Sequence, residues 1–483
     1  MAAAASPPNL LLIVVDQWRG DCLGCAGHPV VETPHLDRIA QEGVLFTSAY
    51  AAVPSCIAAR ASLMTGLTPR HHGRVGYQDH VPWDYPVTLA GLLADAGYHT
   101  QAVGKMHVHP ARTLLGFHNV VLHDGYLHAE RRSRRNYDLA DDYLPSLRSQ
   151  YGPDADYADS GLGCNGYAVR PWPYDDRLHP SAWVTTQAVD FLRRRDPRRP
   201  FFLCASYHRP HPPLDPPRDA LDAYRDKTLP PLPRGDWDAH LPTPNRGLDS
   251  PCPTDPAQVD RARRAYYAQM SFIDNQINRL THALHQHDVL ENTVILFCAD
   301  HGDMLYDHGM VAKGLPYQGS AAVPFLLRCP PSWGLAGGRT VNAPVELRDV
   351  LPTLCELAGV AVPASVDGAS VVPFCRGEAP SGWRRHVHGE HSGGARSNHW
   401  IADGRWKYAW FSQTGQEQLF DLENDPQECH DLSPHRPEVL RDFRQRLVEE
   451  LEGREEGYVQ QGRLIVGRPA RAVLSCLRPA ETA

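Results

Sequence analysis

Four segments along the chain contain an apolar stretch, short in the second of them, that stops abruptly at polar residues. They are NLLLIVVDQ (9–17), YHTQAVGKMHVH (98–109), PFFLCASYHRPH (200–211) and TVILFCADHGD (293–303). Their apolar stretches are continuous rather than alternating, which is typical of parallel strands that helices cover on both faces. We therefore predict four buried strands, each ending in residues that can carry chemistry.

Between these runs, the apolar positions recur with the spacing of helices. The predicted helices are TPHLDRIAQEG (33–43), TLAGLLADAG (88–97), SAWVTTQAVDFLRRR (181–195) and DRARRAYYAQMSFIDNQINRLTHALHQ (260–286). Alternation of strand and helix predicts an α/β fold with a large, mostly parallel sheet sandwiched between helices. In such a sheet, the carboxyl ends of the strands share one crevice, where ligands bind.

The pattern changes after about residue 380. HWIADGRWKYAWF (399–411) and EQLFDL (417–422) predict antiparallel strands joined by a turn near SQTGQ, and RPEVLRDFRQRLVEELEGR (436–454) predicts an amphipathic helix. We therefore divide the chain into a catalytic α/β domain (1–380) and a smaller C-terminal α+β subdomain (381–483) that contains an antiparallel sheet. Residues 108–180 are interpreted as a long loop insertion.

Composition narrows the cellular context and the partners. No apolar run is long enough to span a bilayer, and the formal net charge of −8 gives no global basic field for nucleic acid or membrane. The N-terminal apolar run has no basic flank and ends at Asp16 and Gln17, so we interpret it as a strand and expect a cytoplasmic protein. The 12 scattered cysteines do not form a zinc ribbon or a disulfide pattern.

Polar residues at two strand ends have the composition of a metal site. Asp16 and Gln17 follow the first strand, and Asp300 and His301 follow the last of the four runs. Either aspartate alone is more often a turn residue, but two carboxylates, an amide oxygen and an imidazole at adjoining strand ends predict a divalent cation. Oxygen donors favour calcium or magnesium, whereas His301 leaves manganese and zinc open.

A short helix of small residues, SCIAARASLMTG (55–66), begins with a cysteine. Ser55 is in the N-cap position and Gly66 follows the last turn, so Cys56 lies in the first turn, where the helix favours a negative ligand. Arg60 lies four residues later on the same face. Buried packing for the cysteine and a solvated charge for the arginine are the simpler interpretations of each residue alone.

Together, these motifs resemble the type I sulfatases of the alkaline phosphatase superfamily. Cys56-Ile57-Ala58-Ala59-Arg60 fits their C-x-[PA]-x-R signature, and SLMTGLTPRHHG resembles its second half. PNLLLIVVDQWRGDCLG, GKMH, HRPHPP, ADHGDMLYDHGMVAKG and EQLFDLENDPQE resemble the other blocks of the family, so the resemblance covers nearly the whole chain. It implies an alkaline-phosphatase-like fold and a sulfatase that hydrolyses an aryl, sugar or small-alcohol sulfate ester.

The resemblance also implies the nucleophile. A formylglycine-generating maturation enzyme would oxidise Cys56 to Cα-formylglycine (3-oxoalanine), which hydrates to a geminal diol. One diol oxygen attacks the ester sulfur, and the second hydroxyl then lets the adduct collapse without attack of water on sulfur. Arg60 would hold this modified side chain. A homo-oligomer is left open.

The remaining roles follow by matching residues to the family motifs. Lys105 and His107 resemble the pair that binds and activates the diol and the sulfate oxygens, His211 the general acid, and Lys313 the lysine that clamps the ester sulfate. The implied metal ligands are Asp16, Gln17, the modified Cys56, Asp300 and His301, with Ca²⁺ as the expected ion and Mn²⁺, Mg²⁺ or Zn²⁺ as alternatives.

Two positions differ from the pattern of many sulfatases, which carry a second aspartate in place of Gln17 and an asparagine in place of His301. Both variants occur in family members that include phosphonate monoester and phosphodiester hydrolases with the same formylglycine. A phosphonate monoester hydrolase or phosphodiesterase is therefore the alternative function. A non-catalytic sulfatase-like binding protein is a second alternative, and it predicts loss of a metal ligand or of the nucleophile.

Overall fold

The structure is a computed structural model that describes residues 7–125, 140–240, 252–335 and 337–477. The strands are β1 (Asn9–Asp16), β2 (Val44–Phe46), β3 (Ala49–Tyr50), β4 (His99–Gly104), β5 (Asn119–Leu122), β6 (Phe201–Pro210), β7 (Thr293–Ala299), β8 (Phe325–Arg328), β9 (Arg339–Val341), β10 (Val345–Glu346), β11 (Val387–His391), β12 (Asn398–Ala402), β13 (Trp406–Phe411), β14 (Glu417–Asp421), β15 (Val459–Gln460) and β16 (Arg463–Leu464). The α-helices are α1 (Pro34–Glu42), α2 (Cys56–Thr65), α3 (Pro69–His72), α4 (Leu89–Asp95), α5 (Tyr143–Tyr151), α6 (Pro180–Arg194), α7 (Arg218–Asp222), α8 (Pro256–Gln286), α9 (Gln318–Ala321), α10 (Val350–Ala358), α11 (Val372–Cys375) and α12 (Pro437–Leu451).

Eight strands form one sheet in the order β5-β4-β6-β1-β7-β8-β2-β9. The four predicted strands are β4, β6, β1 and β7, which are adjacent and parallel. This confirms the mostly parallel α/β sheet. Only β8 runs antiparallel to its neighbours β7 and β2. A parallel return usually passes through a helix that crosses the sheet, whereas the link from β7 to β8, residues 300–324, contains a 3-10 turn (Asp307–Gly309) and the four-residue α9.

Helices pack in two groups around the sheet, with α8 against α1, α6 and α7, and α10 against α2 and α4. All eight residues of β1 and all seven of β7 are buried, as the continuous apolar runs predict. Helix α8 begins four residues earlier than its periodicity suggests. The Asp255 side chain accepts a hydrogen bond from the Gln258 N–H, and Pro256 occupies the first turn, where it needs no N–H.

The C-terminal sheet is antiparallel, in the order β11-β12-β13-β14. The β13–β14 pair confirms the predicted turn near SQTGQ. Residues 399–411 are not one strand, because a turn with Gly404 at φ 95° divides them into β12 and β13. Helix α12 covers one face through Phe443, Leu447 and Leu451. The other face joins the main body, where Trp400 packs with Tyr50 in one apolar cluster. The boundary between residues 380 and 381 stays a prediction.

Residues 108–180 are not one continuous loop. They contain β5 and α5, while residues 126–139 lie outside the described part of the chain. β5 has only four residues and α5 includes Pro145, so neither gives a strong periodic signal. Among the described helices, none combines the length and apolar character needed to cross a bilayer.

Candidate active site

Adjacent parallel strands bring the predicted site residues together at one edge of the sheet. Asp16 ends β1, Lys105 follows β4, and Asp300 follows β7. His211 follows β6, and its backbone N–H donates to the Asp16 carbonyl at 3.2 Å. These four side chains are at most 1% exposed. The crevice inferred from the strand ends is therefore confirmed.

Helix α2 delivers Cys56 to this crevice. The Cys56 Sγ lies 3.7 Å from Asp16 Oδ1 and 3.2 Å from His301 Nε2. Every residue of α2 is buried, and its alanines allow close packing. Ser55 has the extended backbone of an N-cap residue but no capping hydrogen bond from its side chain, and Gly66 ends the helix at φ 69°. The predicted placement of Cys56 in the first turn is confirmed.

Asp16, Cys56, Asp300 and His301 form one donor cluster. One ligand atom from each lies within 4.8 Å of the others, and all four residues are buried. The Nδ1–H of His301 donates to the Gly302 carbonyl at 2.8 Å, which leaves the Nε2 lone pair facing the cluster. Two carboxylates and an imidazole oriented in this way fit a divalent cation.

Gln17 lies beside the cluster, with its side-chain atoms engaged by other residues. Its Oε1 accepts from Lys313 Nζ at 2.6 Å, and its Nε2 donates to Asp303 Oδ2 at 2.6 Å. Its backbone N–H donates to Asp300 Oδ1 at 3.1 Å. Metal ligation by the Gln17 side chain stays a prediction, and the observed contacts show it orienting Asp300 and Lys313.

Arg60 contacts the donor cluster through Asp300. Its Nε donates to Asp300 Oδ2 at 2.9 Å, and its Nη1 donates to the Lys105 carbonyl and to Ser206 Oγ. The third nitrogen, Nη2, is buried and has no hydrogen-bond partner among the described residues. A buried guanidinium nitrogen left without an acceptor fits a site that receives an added oxygen.

Positive charge surrounds Cys56. Lys105 Nζ is hydrogen-bonded to Asp16 in the interior of the site. Burial and Asp16 act to raise the thiol pKa, but Lys105, Lys313 and His301 together hold the pKa of Cys56 well below its usual range. This crevice therefore stabilises negative charge at position 56.

His211 and Lys313 form a pair at the edge of the site. Lys313 Nζ lies 2.8 Å from His211 Nε2, and the His211 Nδ1–H donates to the Pro212 carbonyl at 2.8 Å. Burial, followed by the charge of Lys313, lowers the pKa of His211 to about 3. A neutral His211 ring can thus accept a hydrogen bond from Lys313 at Nε2.

The sequence pattern does not indicate several of the side chains in and around the site. Ser206 accepts from Arg60 inside β6, and Tyr167 donates to Asp303 Oδ2 at 2.6 Å. Asp79 lies 3.5 Å from His107. His391, from the C-terminal sheet, packs against Gly314, the neighbour of Lys313.

Cation affinity should fall as the pH drops through about 6. Burial and the neighbouring Asp16 raise the pKa of Asp300 to about 6, so a proton competes for this carboxylate below that pH, whereas above it the ionised carboxylate binds freely. We expect a loss of up to about tenfold in calcium affinity per pH unit below this value. Calorimetric titration of calcium into metal-stripped protein at pH 5 and pH 7 measures it, and equal affinities would contradict the assignment.

Comparison with known proteins identifies the family. The sulfatase family matches residues 8–360, and the C-terminal family of N-sulphoglucosamine sulphohydrolase matches residues 306–456. An arylsulfatase from Clostridium perfringens is 48% identical over 96% of this chain and 98% of its own length. A choline-sulfatase from Rhizobium meliloti is 32% identical over 88% of this chain and 82% of its own.

The fold has close counterparts among solved structures. The phosphonate monoester hydrolase of Agrobacterium radiobacter superposes with a TM-score of 0.78 at 26% identity, covering 96% of this chain and 100% of that chain. A structure of BT4656 in complex with D-glucosamine-2-N,6-O-disulfate has a TM-score of 0.72 at 20% identity, over 92% of this chain and 98% of that chain, and it supports the fold alone. The chain therefore belongs to the sulfatase family of the alkaline phosphatase superfamily and is a sulfuric ester hydrolase.

Proposed function

We propose that the protein cleaves sulfate esters of aryl, sugar or small-alcohol type with a formylglycine made from Cys56 as the nucleophile. The observation that supports this best is the position of Cys56, whose Sγ lies within hydrogen-bonding reach of His301 and close to Asp16. A cysteine used only for packing would not need two buried carboxylates, an imidazole and two lysines around it. The non-catalytic alternative predicts a missing ligand or nucleophile, and none is missing.

Modification of Cys56 must precede folding. The residue is 1% exposed and lies within a fully buried helix, so a maturation enzyme could reach its thiol only in the unfolded chain. Oxidation replaces the thiol with an aldehyde, and addition of water then gives a diol with two hydroxyl groups. The buried Arg60 Nη2 and the His107 ring are the nearby groups whose hydrogen-bonding capacity is left for these oxygens.

Asp16, Asp300 and His301 would hold the cation, with Gln17 as a further candidate ligand. Calcium is the ion we propose, because oxygen donors predominate, and manganese, magnesium and zinc are the alternatives that the imidazole permits. When bound, the cation would act as a Lewis acid that favours ionisation of an adjacent hydroxyl.

The fixed cations of the chain bind the substrate and stabilise the transition state. Lys105 and Lys313 both lie close enough to Cys56 to lower its pKa. There they offset the charge of the ester sulfate and the charge that develops as the sulfur–oxygen bond breaks. Since both amines are held by hydrogen bonds to Asp16 and Gln17, they need little reorganisation when substrate binds.

The leaving alcohol requires a proton, and the His211–Lys313 pair is placed to provide it. Lys313 Nζ donates to His211 Nε2, so a proton can be shared along this contact. A bound sulfate brings negative charge, which opposes the effect of Lys313 and raises the proton affinity of His211. Burial lowers the pKa of His107, but the neighbouring Asp79 and Cys56 raise it above its usual value. This imidazole would accept the proton of the second hydroxyl when the sulfated adduct collapses to aldehyde and inorganic sulfate.

Removing the charge of Lys313 should reduce turnover and change its pH dependence. Lys313→Met is expected to lower kcat by about 10²- to 10³-fold, because a preorganised cation is lost from the reacting centre. The pKa of His211 should rise, since Lys313 is one of the causes that lower it. A pH–rate profile of the variant measures both effects. An unchanged kcat would contradict the role of Lys313.

Hydrolysis of phosphonate monoesters or phosphodiesters is the alternative function. Gln17 and His301 favour it, and the likeness in fold to a phosphonate monoester hydrolase is strong. Matched aryl sulfate and aryl phosphonate esters with the same leaving group separate the two functions. We expect kcat/KM to be larger for the sulfate. A dominant kcat/KM for the phosphonate would overturn our choice, and the C56A protein controls for trace contaminants.

A further inference from the structure

A tyrosine and an aspartate at the entrance of the site connect to the His107 imidazole. The Tyr77 hydroxyl donates to Asp79 Oδ2 at 2.8 Å, and the other carboxylate oxygen, Oδ1, lies 3.5 Å from His107 Nε2. The Tyr77 and His107 rings meet edge to face with centroids 6.1 Å apart. Tyr77 and Asp79 belong to the segment between α3 and α4, and neither residue lies in a family motif quoted above.

His107 is held firmly by its backbone but weakly by its ring. Its N–H donates to Asp124 Oδ1 at 3.0 Å, and its φ of 55° lies in the left-handed region. Such a conformation in a non-glycine residue persists only where its surroundings impose it. Both ring nitrogens are buried, and within the described ranges neither completes a hydrogen bond, so Asp79 is the carboxylate placed to orient the ring.

We propose that Asp79 is a positioning residue that orients the His107 imidazole toward residue 56, and that the Tyr77 hydroxyl fixes Asp79 for this purpose. This inference rests on the proposed function in giving His107 a proton to accept. A carboxylate behind an imidazole fixes the ring orientation and the nitrogen that carries the proton. Hydrogen bonds of this kind are often long before substrate binds and shorten in the complex.

Tyr77 also lies at the solvent-facing rim of the site. Tyr77 is 43% exposed, whereas His107 is 7% exposed, so Tyr77, Asp79 and His107 connect the solvent-facing rim to the buried centre. A substrate that contacts the exposed tyrosine ring can thus influence the orientation of Asp79 and, through it, of His107. Leaving groups of different size should consequently differ in kcat more than in KM.

Kinetics of Asp79→Asn test the proposal. We expect kcat to fall by about 10- to 100-fold with KM changed less than about twofold, because substrate binding keeps its own contacts while the imidazole loses its orientation. Tyr77→Phe, which keeps the ring and removes the hydroxyl, should lower kcat by a smaller factor. Asp84→Asn, an exposed aspartate in the same loop, is the matched control and should behave as wild type. An unchanged kcat in the Asp79→Asn enzyme would overturn the proposal.

A second measurement does not need an active enzyme. In Cys56→Ala protein labelled with ¹⁵N-histidine, the His107 ring resonances are assigned by their loss in a His107→Gln variant. Adding Asp79→Asn should shift these resonances, and adding Asp84→Asn should not. If the wild-type enzyme shows no sulfatase activity, the proposed function fails, yet this shift still decides whether Asp79 orients His107. Resonances that do not respond to Asp79→Asn would overturn the inference.

Discussion

Cys56→Ala should reduce kcat by at least about 10⁴-fold, because it removes the atom from which the nucleophile is made. We expect the Cys56→Ala variant to fold. Alanine already occupies positions 58, 59 and 61 of the same buried helix, and truncating one small side chain in a well-packed site costs about 1 kcal/mol. The measurement is turnover of an aryl sulfate by protein co-expressed with a formylglycine-generating enzyme, with Tm recorded on the same sample.

Cys355→Ala is the matched control for this prediction. Cys355 is also fully buried in a helix, α10, but none of the site contacts described above involves it. It should lose a similar amount of stability and keep wild-type turnover. A Cys56→Ala enzyme that retained more than a few per cent of activity would show that another group is the nucleophile.

Asp300→Asn should abolish cation binding and turnover while leaving the metal-free fold intact. Burial and Asp16 raise the pKa of Asp300 to about 6. A folded-state pKa above the unfolded value of 3.8 contributes stability only at low pH, and this contribution is lost as the pH rises through about 6. Ionised Asp300 therefore destabilises the metal-free protein at pH 8, and asparagine removes that charge. Its single oxygen can accept from Arg60, but its NH2 group then faces the backbone N–H of Gln17, which offsets part of the gain.

Thermal unfolding with and without calcium measures this effect. Wild-type protein should gain Tm with added calcium through mass action, whereas Asp300→Asn should show no gain over its own calcium-free Tm. We expect kcat to fall by more than about 10³-fold, because the variant loses the charge stabilisation that a catalytic metal ion supplies. Calcium stabilisation of the variant equal to that of wild type would contradict the metal assignment.

Asp274→Asn provides the matched control. Asp274 is a buried carboxylate on α8 that accepts hydrogen bonds from the backbone N–H groups of His35 and Leu36, and burial raises its pKa to about 7. It lies outside the donor cluster. The variant should keep both its response to calcium and its activity, so a loss seen only at Asp300 reports on the metal site and not on buried charge in general.

The strand ends could be predicted because the sequence changes character sharply there. In β1 and β7, continuous buried runs stop at Asp16 and Asp300, and parallel strands place such ends at one edge of the sheet. The antiparallel strand β8 could not be foreseen in the same way. Its four residues, FLLR, have no period that distinguishes the two directions.

The loop contributions to the site could not be predicted from spacing. Asp79 reaches His107 because the segment after α3 folds back over the crevice, and that path is set by tertiary packing rather than by local propensity. The contacts of Arg60 could not be predicted for a different reason. Spacing along α2 placed Arg60 on the face of Cys56, but the guanidinium extends to Ser206 on β6 and to Asp300 just after β7. Which distant strands lie beneath a helix depends on the whole sheet.

The aldehyde content of residue 56 tests the central claim most directly. Preparations made with graded amounts of the maturation enzyme would be digested, and the fraction of the peptide containing residue 56 that carries formylglycine measured by mass spectrometry. Our account predicts that specific activity rises in proportion to this fraction, along a line through the origin. Full activity in protein whose Cys56 is entirely unmodified would contradict it.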